Sequence, residues 1–261
     1  MTSSQTQTDQ QLSTPTRPTL VELKNVSVSF GRISVLKNVS LRVSQGVVHG
    51  IIGPSGTGKT TLIKIINGLV RPDEGYVNVL GCRINGQKHA DLISLRHQIG
   101  YIPQNLGLVK ILTARENVLM GSLARIGSLR TCLKIFPKIE LERSDILLEK
   151  LGLLPKADIR VHKLSGGEQK RVAIARALMQ NPKILLADEF LSDLDYNNAE
   201  RIMKEIIKLK INLDLTVIMV EHNLALAREF CNTVSAITPE GSLEVSDFKA
   251  WEPKFSDIWT F

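Results

Sequence analysis

The spacing of apolar residues changes character along the chain. Val26, Val28 and Phe30 alternate with polar residues, and so do Val39, Leu41 and Val43. Successive side chains of a strand point to opposite faces, so this period of two predicts half-exposed strands and a small N-terminal antiparallel β region. Four short runs then lose the alternation: Val47-Val-His-Gly-Ile-Ile52, Ile99-Gly-Tyr-Ile102, Ile184-Leu-Leu-Ala187 and Thr216-Val-Ile-Met-Val220. They read as strands buried on both faces, with helical patterns between them, which predicts a mostly parallel sheet joined by crossover helices. From Asn105 to Lys163 the pattern is helical. Thr113-Ala-Arg-Glu116 is a capping box ahead of Val118-Leu-Met120, and Asp145 to Leu154 repeats apolar residues at helical spacing. An α-helical subdomain inserted over about 105–163 is expected. No internal repeat is visible, so the chain reads as one α/β unit.

Each buried run ends on a polar cluster: Gly53-Pro-Ser55, Pro103-Gln104, Asp188-Glu189 and Glu221-His222. Ligands of open α/β sheets bind outside the carboxyl ends of the strands, so the four ends point to one site. The first supplies its chemistry. Gly53, Pro54, Ser55, Gly56, Thr57, Gly58, Lys59 and Thr60 complete the phosphate-loop pattern G-x-x-x-x-G-K-[ST] between an apolar strand and a helix read as Leu62 to Leu69. Glycines let backbone N–H groups converge on phosphate oxygens, and the helix N-terminus adds positive potential. Lys59 is placed to reach the β- and γ-phosphates of ATP, the Thr60 hydroxyl to ligate Mg²⁺, and Thr61 to line the same loop. The acidic strand end supplies the rest: Asp188 to hold Mg²⁺, and Glu189 to polarise the attacking water.

Leu164-Ser165-Gly166-Gly167-Glu168, within the longer run LSGGEQKRVAIARAL, resembles the signature motif of ABC-type ATPases. The resemblance spans roughly residues 20 to 237. It implies a P-loop NTPase core, ATP hydrolysis with Mg²⁺, and a head-to-tail dimer of two copies with ATP between them. Ser165, Gly166, Gly167 and Glu168 would then meet the γ-phosphate held by the other copy. The residue type suits this, since paired glycines are poor helix formers whose use is close approach to a ligand. The resemblance further implies that Phe30 stacks on adenine and that Gln104 senses the γ-phosphate and Mg²⁺. It makes Ser192-Asp-Leu-Asp195 an interface loop bringing Asp195 to the nucleotide, and His222 a catalytic switch acting with Lys59, Gln104 and Glu189. His49, His89, His97 and His162 lack such a setting and read as structural. The chain departs from the family at Phe190, where proline is usual, and at Asp193, which adds a charge to the expected interface.

The helical stretch Leu108-Val-Lys-Ile-Leu-Thr113 to Glu116-Asn-Val-Leu-Met-Gly-Ser-Leu123, with Ile135-Phe-Pro-Lys138, resembles the phosphonate-type importer ATPases, as does the run from His222 to Phe230. That implies import of phosphonate, phosphite or phosphate through separate membrane permease subunits, with a solute-binding protein as an indirect partner. A lipid or lipoprotein transporter and an iron–sulfur assembly ATPase are the alternatives within the family. A small-molecule kinase built on the same loop would lack the LSGGE motif.

Composition narrows the setting. The 261 residues are 43% hydrophobic, enough for a large α/β domain, yet no apolar run approaches the ~20 residues that span a bilayer. Any membrane role is therefore expected to be peripheral, at the cytoplasmic face of the inner membrane. Cys82, Cys132 and Cys231 lie too far apart for a C-x-x-C site and suit a cytoplasmic protein. The net charge is +7, but no nucleic-acid-binding signature accompanies it and no nucleic-acid partner is expected. Residues 1–19, rich in Ser, Thr and Gln and without a secretory signal, read as a disordered tail. The ATPase domain is expected over 20–240 and an extension over 241–261.

Overall fold

A computed structural model describes residues 17–86, 89–126 and 136–247. The expected tail up to position 16, Cys132, Ile135 and the expected extension from position 248 lie outside these residues.

Two sheets frame the molecule. Strands β1 (Thr19–Phe30) and β2 (Ile33–Ser44) form an antiparallel hairpin. Along β1 the buried residues are Val21 and Leu23, then Val26 and Val28. The skipped step falls at Asn25, whose φ of 50° accompanies a register shift that restores the same face to the core. Strand β3 (Val48–Ile52) leaves this sheet, and β4 (Glu74–Val79) and β5 (Cys82–Arg83) return to it, giving the order β2-β1-β4-β5.

The second sheet adds β6 (Ile99–Ile102), β7 (Ile184–Asp188), β8 (Thr216–Val220), β9 (Thr233–Ile237) and β10 (Leu243–Asp247) in the order β10-β9-β3-β8-β7-β6. All pairings are parallel except β10 with β9. The expected parallel sheet is present, and its lack of alternation has a direct cause. Ile184 and Leu186 of β7 face one apolar cluster, shared with β1, β2 and β4, while Leu185 and Ala187 face another. Both faces are buried, so a polar residue there needs a partner. Strand β10 adds an antiparallel edge within the range expected as an extension.

The helices are α1 (Lys59–Ile66), α2 (His89–Arg96), α3 (Ala114–Leu119), α4 (Lys138–Lys150), α5 (Gly166–Met179), α6 (Tyr196–Leu213) and α7 (Leu224–Phe230). Helix α1 begins three residues before the expected Leu62 because Gly58, in the left-handed region, caps it and accepts from Leu62 N at 2.9 Å. It ends early because Gly68, at φ 64°, turns the chain. Helix α4 likewise starts upstream of the expected Asp145, behind Pro137, and stops before Gly152 at φ 64°. The capping boxes at Thr113/Glu116 and Ser165/Glu168 both form. Helices α3, α4 and α5 pack together on one face of the parallel sheet, so the helical segment shares the main core.

His49, in the middle of β3, is fully buried. Its Nδ1 lies 2.8 Å from Thr233 Oγ1 and its Nε2 3.0 Å from Ser235 Oγ. Burial pushes its pKa down from 6.5 to about 4. The unfolded chain therefore takes up a proton that the native state refuses, and stability present above pH 6.5 is lost as the pH falls toward 4. The loss reaches about 3 kcal/mol at full displacement. Urea unfolding of the wild type and His49→Gln between pH 7.5 and 4 should show the variant lacking this component of the pH slope.

Candidate functional site

The site is assembled at the carboxyl ends of β3, β6, β7 and β8. After β3 the phosphate loop runs from Gly53 to Gly58, and its turn is possible only with glycine at the end. Gly58 has φ +100°, and a Cβ there would sit 2.8 Å from the Leu36 side chain. Within the loop, Thr57 donates from its hydroxyl to the Pro54 carbonyl at 3.0 Å. Lys59 is 3% exposed, and its ammonium donates to the carbonyls of Gly53 (2.9 Å) and Pro54 (2.8 Å). Burial lowers its pKa, opposed by the carboxylates of Glu189 and Asp188.

Strand β7 ends on Asp188, which is 2% exposed and accepts the Thr60 hydroxyl at 3.1 Å. Burial raises its pKa, and the Thr60 hydrogen bond works against that rise. Glu189 follows in the left-handed region at φ 48°, an uncommon conformation for a residue with a side chain. The Ser192 backbone N–H and hydroxyl hold its carbonyl at 3.3 and 2.9 Å. Its carboxylate gathers three other elements. Oε1 lies 2.6 Å from His222 Nε2 and 3.8 Å from the Lys59 ammonium, while Oε2 accepts from Gln104 Nε2 at 3.1 Å.

His222 is presented by the turn after β8. There Glu221 Oε1 accepts the backbone N–H groups of His222 and Asn223, each at 2.9 Å. Glu221 is 4% exposed, and burial raises its pKa against those two donors. Sequence reasoning gave Glu221 no role. Its signal was a carboxylate attached directly to a strand buried on both faces, which demands partners. Arg176, on α5, was also passed over. Its guanidinium donates to the carbonyls of Leu106 (2.6 Å) and Gly107 (2.5 Å), and so pins the chain just after Gln104. In the same segment the fully buried Asn117 amide holds Val109 from both sides, accepting from its N–H at 2.9 Å and donating to its carbonyl at 3.0 Å.

Lys59, Thr60, Gln104, Asp188, Glu189 and His222 are thus brought together. Phe30, 52% exposed at the end of β1, borders a hollow with Gly56, Thr61 and Glu189. Ser55 is exposed on the outer turn of the loop. The remaining candidates stand apart. Ser165 Oγ accepts from Glu168 N at 3.4 Å, and Lys156 holds the Glu168 carboxylate at 2.5 Å. Asp195 caps α6 by accepting from Asn198 N at 3.0 Å. Among the described residues, none of these hydrogen-bonds to the Glu189 cluster. Ideal Cβ atoms at Gly166 and Gly167 would meet nothing within 4 Å, so packing within the chain does not require these glycines. At the family departures, Phe190 is buried in the core, while the Asp193 side chain is 90% exposed with the Lys170 ammonium 3.9 Å away.

The donor set can be tested for Mg²⁺. Among the described residues, no three His, Cys, Asp or Glu side chains gather into a protein-only metal site. Thr60 and Asp188 offer hard oxygen donors side by side. This fits a cation that takes few protein ligands and completes its shell with phosphate oxygens and water.

A family model described as "ABC transporter" matches residues 36–192. The phosphonates import ATP-binding protein PhnC 1 of Nostoc sp. is 40% identical over 219 residues, 83% of this chain and 83% of that protein. The methionine import ATP-binding protein MetN 2 of Paraburkholderia xenovorans is also 40% identical, over 78% of this chain but only 51% of its own length. The dimeric, post-hydrolysis structure of the ATP-binding cassette MJ0796 with ADP and Pi superposes with a TM-score of 0.76 at 34% identity, covering 87% of this chain and 98% of that one.

The phosphate loop yields a contrast between two glycines. Gly56 has φ +81° but open space around its Cβ position, whereas Gly58 combines φ +100° with crowding from Val35 and Leu36. Gly56→Ala should cost roughly 1–3 kcal/mol from backbone strain alone. Gly58→Ala should add a further 1–3 kcal/mol or so from overpacking. Parallel denaturant melts of the two variants without nucleotide check the order.

Proposed function

The chain belongs to the ABC transporter family and is an ATPase of it; on that premise we propose that it energises import of phosphonate, phosphite or phosphate through separate membrane permease subunits. The observation that carries the ATPase mechanism is the convergence of Lys59, Gln104 and His222 on the Glu189 carboxylate. The substrate class rests on likeness to the phosphonate import relative, which this chain matches over most of both lengths, where it spans only about half of the methionine import relative.

ATP would lay its adenine on the exposed Phe30 ring and its phosphates over the loop from Gly53 to Thr61. There the Lys59 ammonium would exchange loop carbonyls for phosphate oxygens. Thr60 and Asp188 would hold Mg²⁺, with Gln104 reaching it from β6. Bound magnesium neutralises charge on the phosphate oxygens. Glu189 would orient a water and accept its proton as the water oxygen attacks the γ-phosphorus. The electrons of the breaking bond go to the bridging oxygen, which leaves with ADP. In the structure Glu189 is engaged by Gln104 and His222. The γ-phosphate would draw both side chains toward itself and free the carboxylate for water.

The second half of the site would come from another copy. The first helical residues of α5 are Gly166 and Gly167, and their N–H groups accompany the positive end of a 14-residue helix. Open space around both glycines suits an anion arriving from outside the chain, the γ-phosphate of the partner. Two copies would then close over two ATP molecules and separate after hydrolysis. Among the described residues no helix is long and apolar enough to cross a membrane. The proposed location is therefore peripheral, on permease subunits at the cytoplasmic face of the inner membrane, with a solute-binding protein delivering substrate from the other side.

Glu189→Gln keeps the hydrogen-bonding shape of the side chain but not its basicity. It should bind ATP with near-wild-type affinity while hydrolysis drops by about 10²–10⁴. With ATP it should elute as a dimer and carry permease subunits through purification from solubilised membranes. Wild-type turnover would remove Glu189 from the role of base. A co-purifying solute-binding protein that ignores phosphonate, phosphite and phosphate would overturn the substrate assignment alone.

A further inference from the structure

At the end of the parallel sheet opposite the phosphate loop lies an apolar groove of about 400 Å³. Val48, at the start of β3, and the half-buried Ile207 and Phe230 line it, and Lys204 and Lys208 of α6 stand along it. On the same groove the Glu229 carboxylate accepts the Tyr196 hydroxyl at 2.5 Å and Lys204 pairs with Glu200 at 2.5 Å, while Lys208 stands exposed beside the apolar floor. Asn232 closes the groove at one end, its backbone N–H donating to the Val48 carbonyl at 2.8 Å and its side chain accepting from Val48 N at 2.7 Å.

The path of the chain brings a candidate occupant here. Strand β10 runs antiparallel to β9, and its last residue, Asp247, pairs with Thr233, the neighbour of Asn232. The segment 248–261 therefore departs beside the groove. Its apolar residues are Phe248, Trp251, Phe255, Ile258, Trp259 and Phe261. The first five are spaced three and four apart, with 258 and 259 adjacent, the period of one helical face. Glu252 and Asp257 alternate with Lys249 and Lys254 among them, and the two acids are opposite in charge to Lys208. Large aromatic side chains dominate burial energetics, and an apolar face left in water next to an apolar groove is unfavourable on both sides. Short connection also keeps the effective concentration of the segment high.

We propose that the segment 248–261 folds back onto this groove in the same chain, seating its aromatic residues against Val48, Ile207 and Phe230 with an acidic residue toward Lys208. The reading does not depend on the transported substrate or on the nucleotide chemistry, because the groove lies at the far end of the sheet from Glu189.

The chain has two tryptophans, and both, Trp251 and Trp259, are in this segment. Tryptophan fluorescence of the full-length protein thus reports on the segment alone. The wild type should emit at short wavelength and resist acrylamide. Ile207→Ser and the surface charge reversal Lys208→Glu should each shift the emission to the red and raise the quenching constant several-fold, with ATP hydrolysis unchanged as a check that the protein is folded. Tryptophans already open to acrylamide in the wild type would overturn the proposal. So would shielding that ignores both variants, shielding that disappears on dilution to monomer (a second copy as occupant), or shielding that requires anionic vesicles (a membrane as occupant).

Discussion

Four parallel strands ending side by side impose the constraint on which the site depends. The residues at and just beyond their ends are polar, where a ligand can approach, yet the strands behind them are buried on both faces. Charged groups such as Asp188, Glu189 and Glu221 are therefore set at the boundary between core and solvent, and each must find partners within a few ångströms. The resulting hydrogen bonds are reciprocal. The Glu189 carboxylate is engaged by His222 and Gln104, and His222 is itself presented by the turn that Glu221 holds. Lys59 and Thr60, opening α1, meet these strand ends from the phosphate loop.

Most of this frame can be read from the sequence, because the strongest signals are the physically strictest ones. A strand packed on both faces admits few polar residues and only with partners, so Ile184-Leu-Leu-Ala187 and Thr216-Val-Ile-Met-Val220 announce themselves. The phosphate loop does the same, since few sequences make its turn. Capping boxes at Thr113 and Ser165 mark two helix starts because the side-chain pattern is the hydrogen-bond pattern. Strands β4, β5, β9 and β10 went unrecognised: β9 carries Thr233 and Ser235 within its run, β5 has only two residues, and β4 and β10 hold few apolar residues each. The start of α1 was misplaced because its first turn is written in the language of the phosphate loop, Lys59-Thr-Thr61, with no apolar period. Arg176 and Asn117 were invisible for another reason: their partners are backbone groups, about 70 residues away for Arg176 and eight for Asn117, which leave no trace in side-chain spacing.

The departures from the family pattern become intelligible as packing. Where the family sets proline, Phe190 fills core volume and is 1% exposed, with Leu191 buried beside it. The turn after Glu189 is thus fixed by apolar anchoring in place of a locked dihedral angle. Asp193 remains at the surface, and Lys170 of α5 lies on its inner side, largely buried. The signature helix and the loop before α6 consequently carry opposite charges toward each other.

Helix α5 joins two places in one rigid body. Its first residues, Gly166 and Gly167, are those proposed to meet the nucleotide of the opposite copy, and ten residues on, about 15 Å along the axis, Arg176 grips the chain just after Gln104, the residue proposed to sense the nucleotide of its own copy. Under that proposal a helix that moves as a unit would need no separate relay between two ATP sites, because one element would touch both.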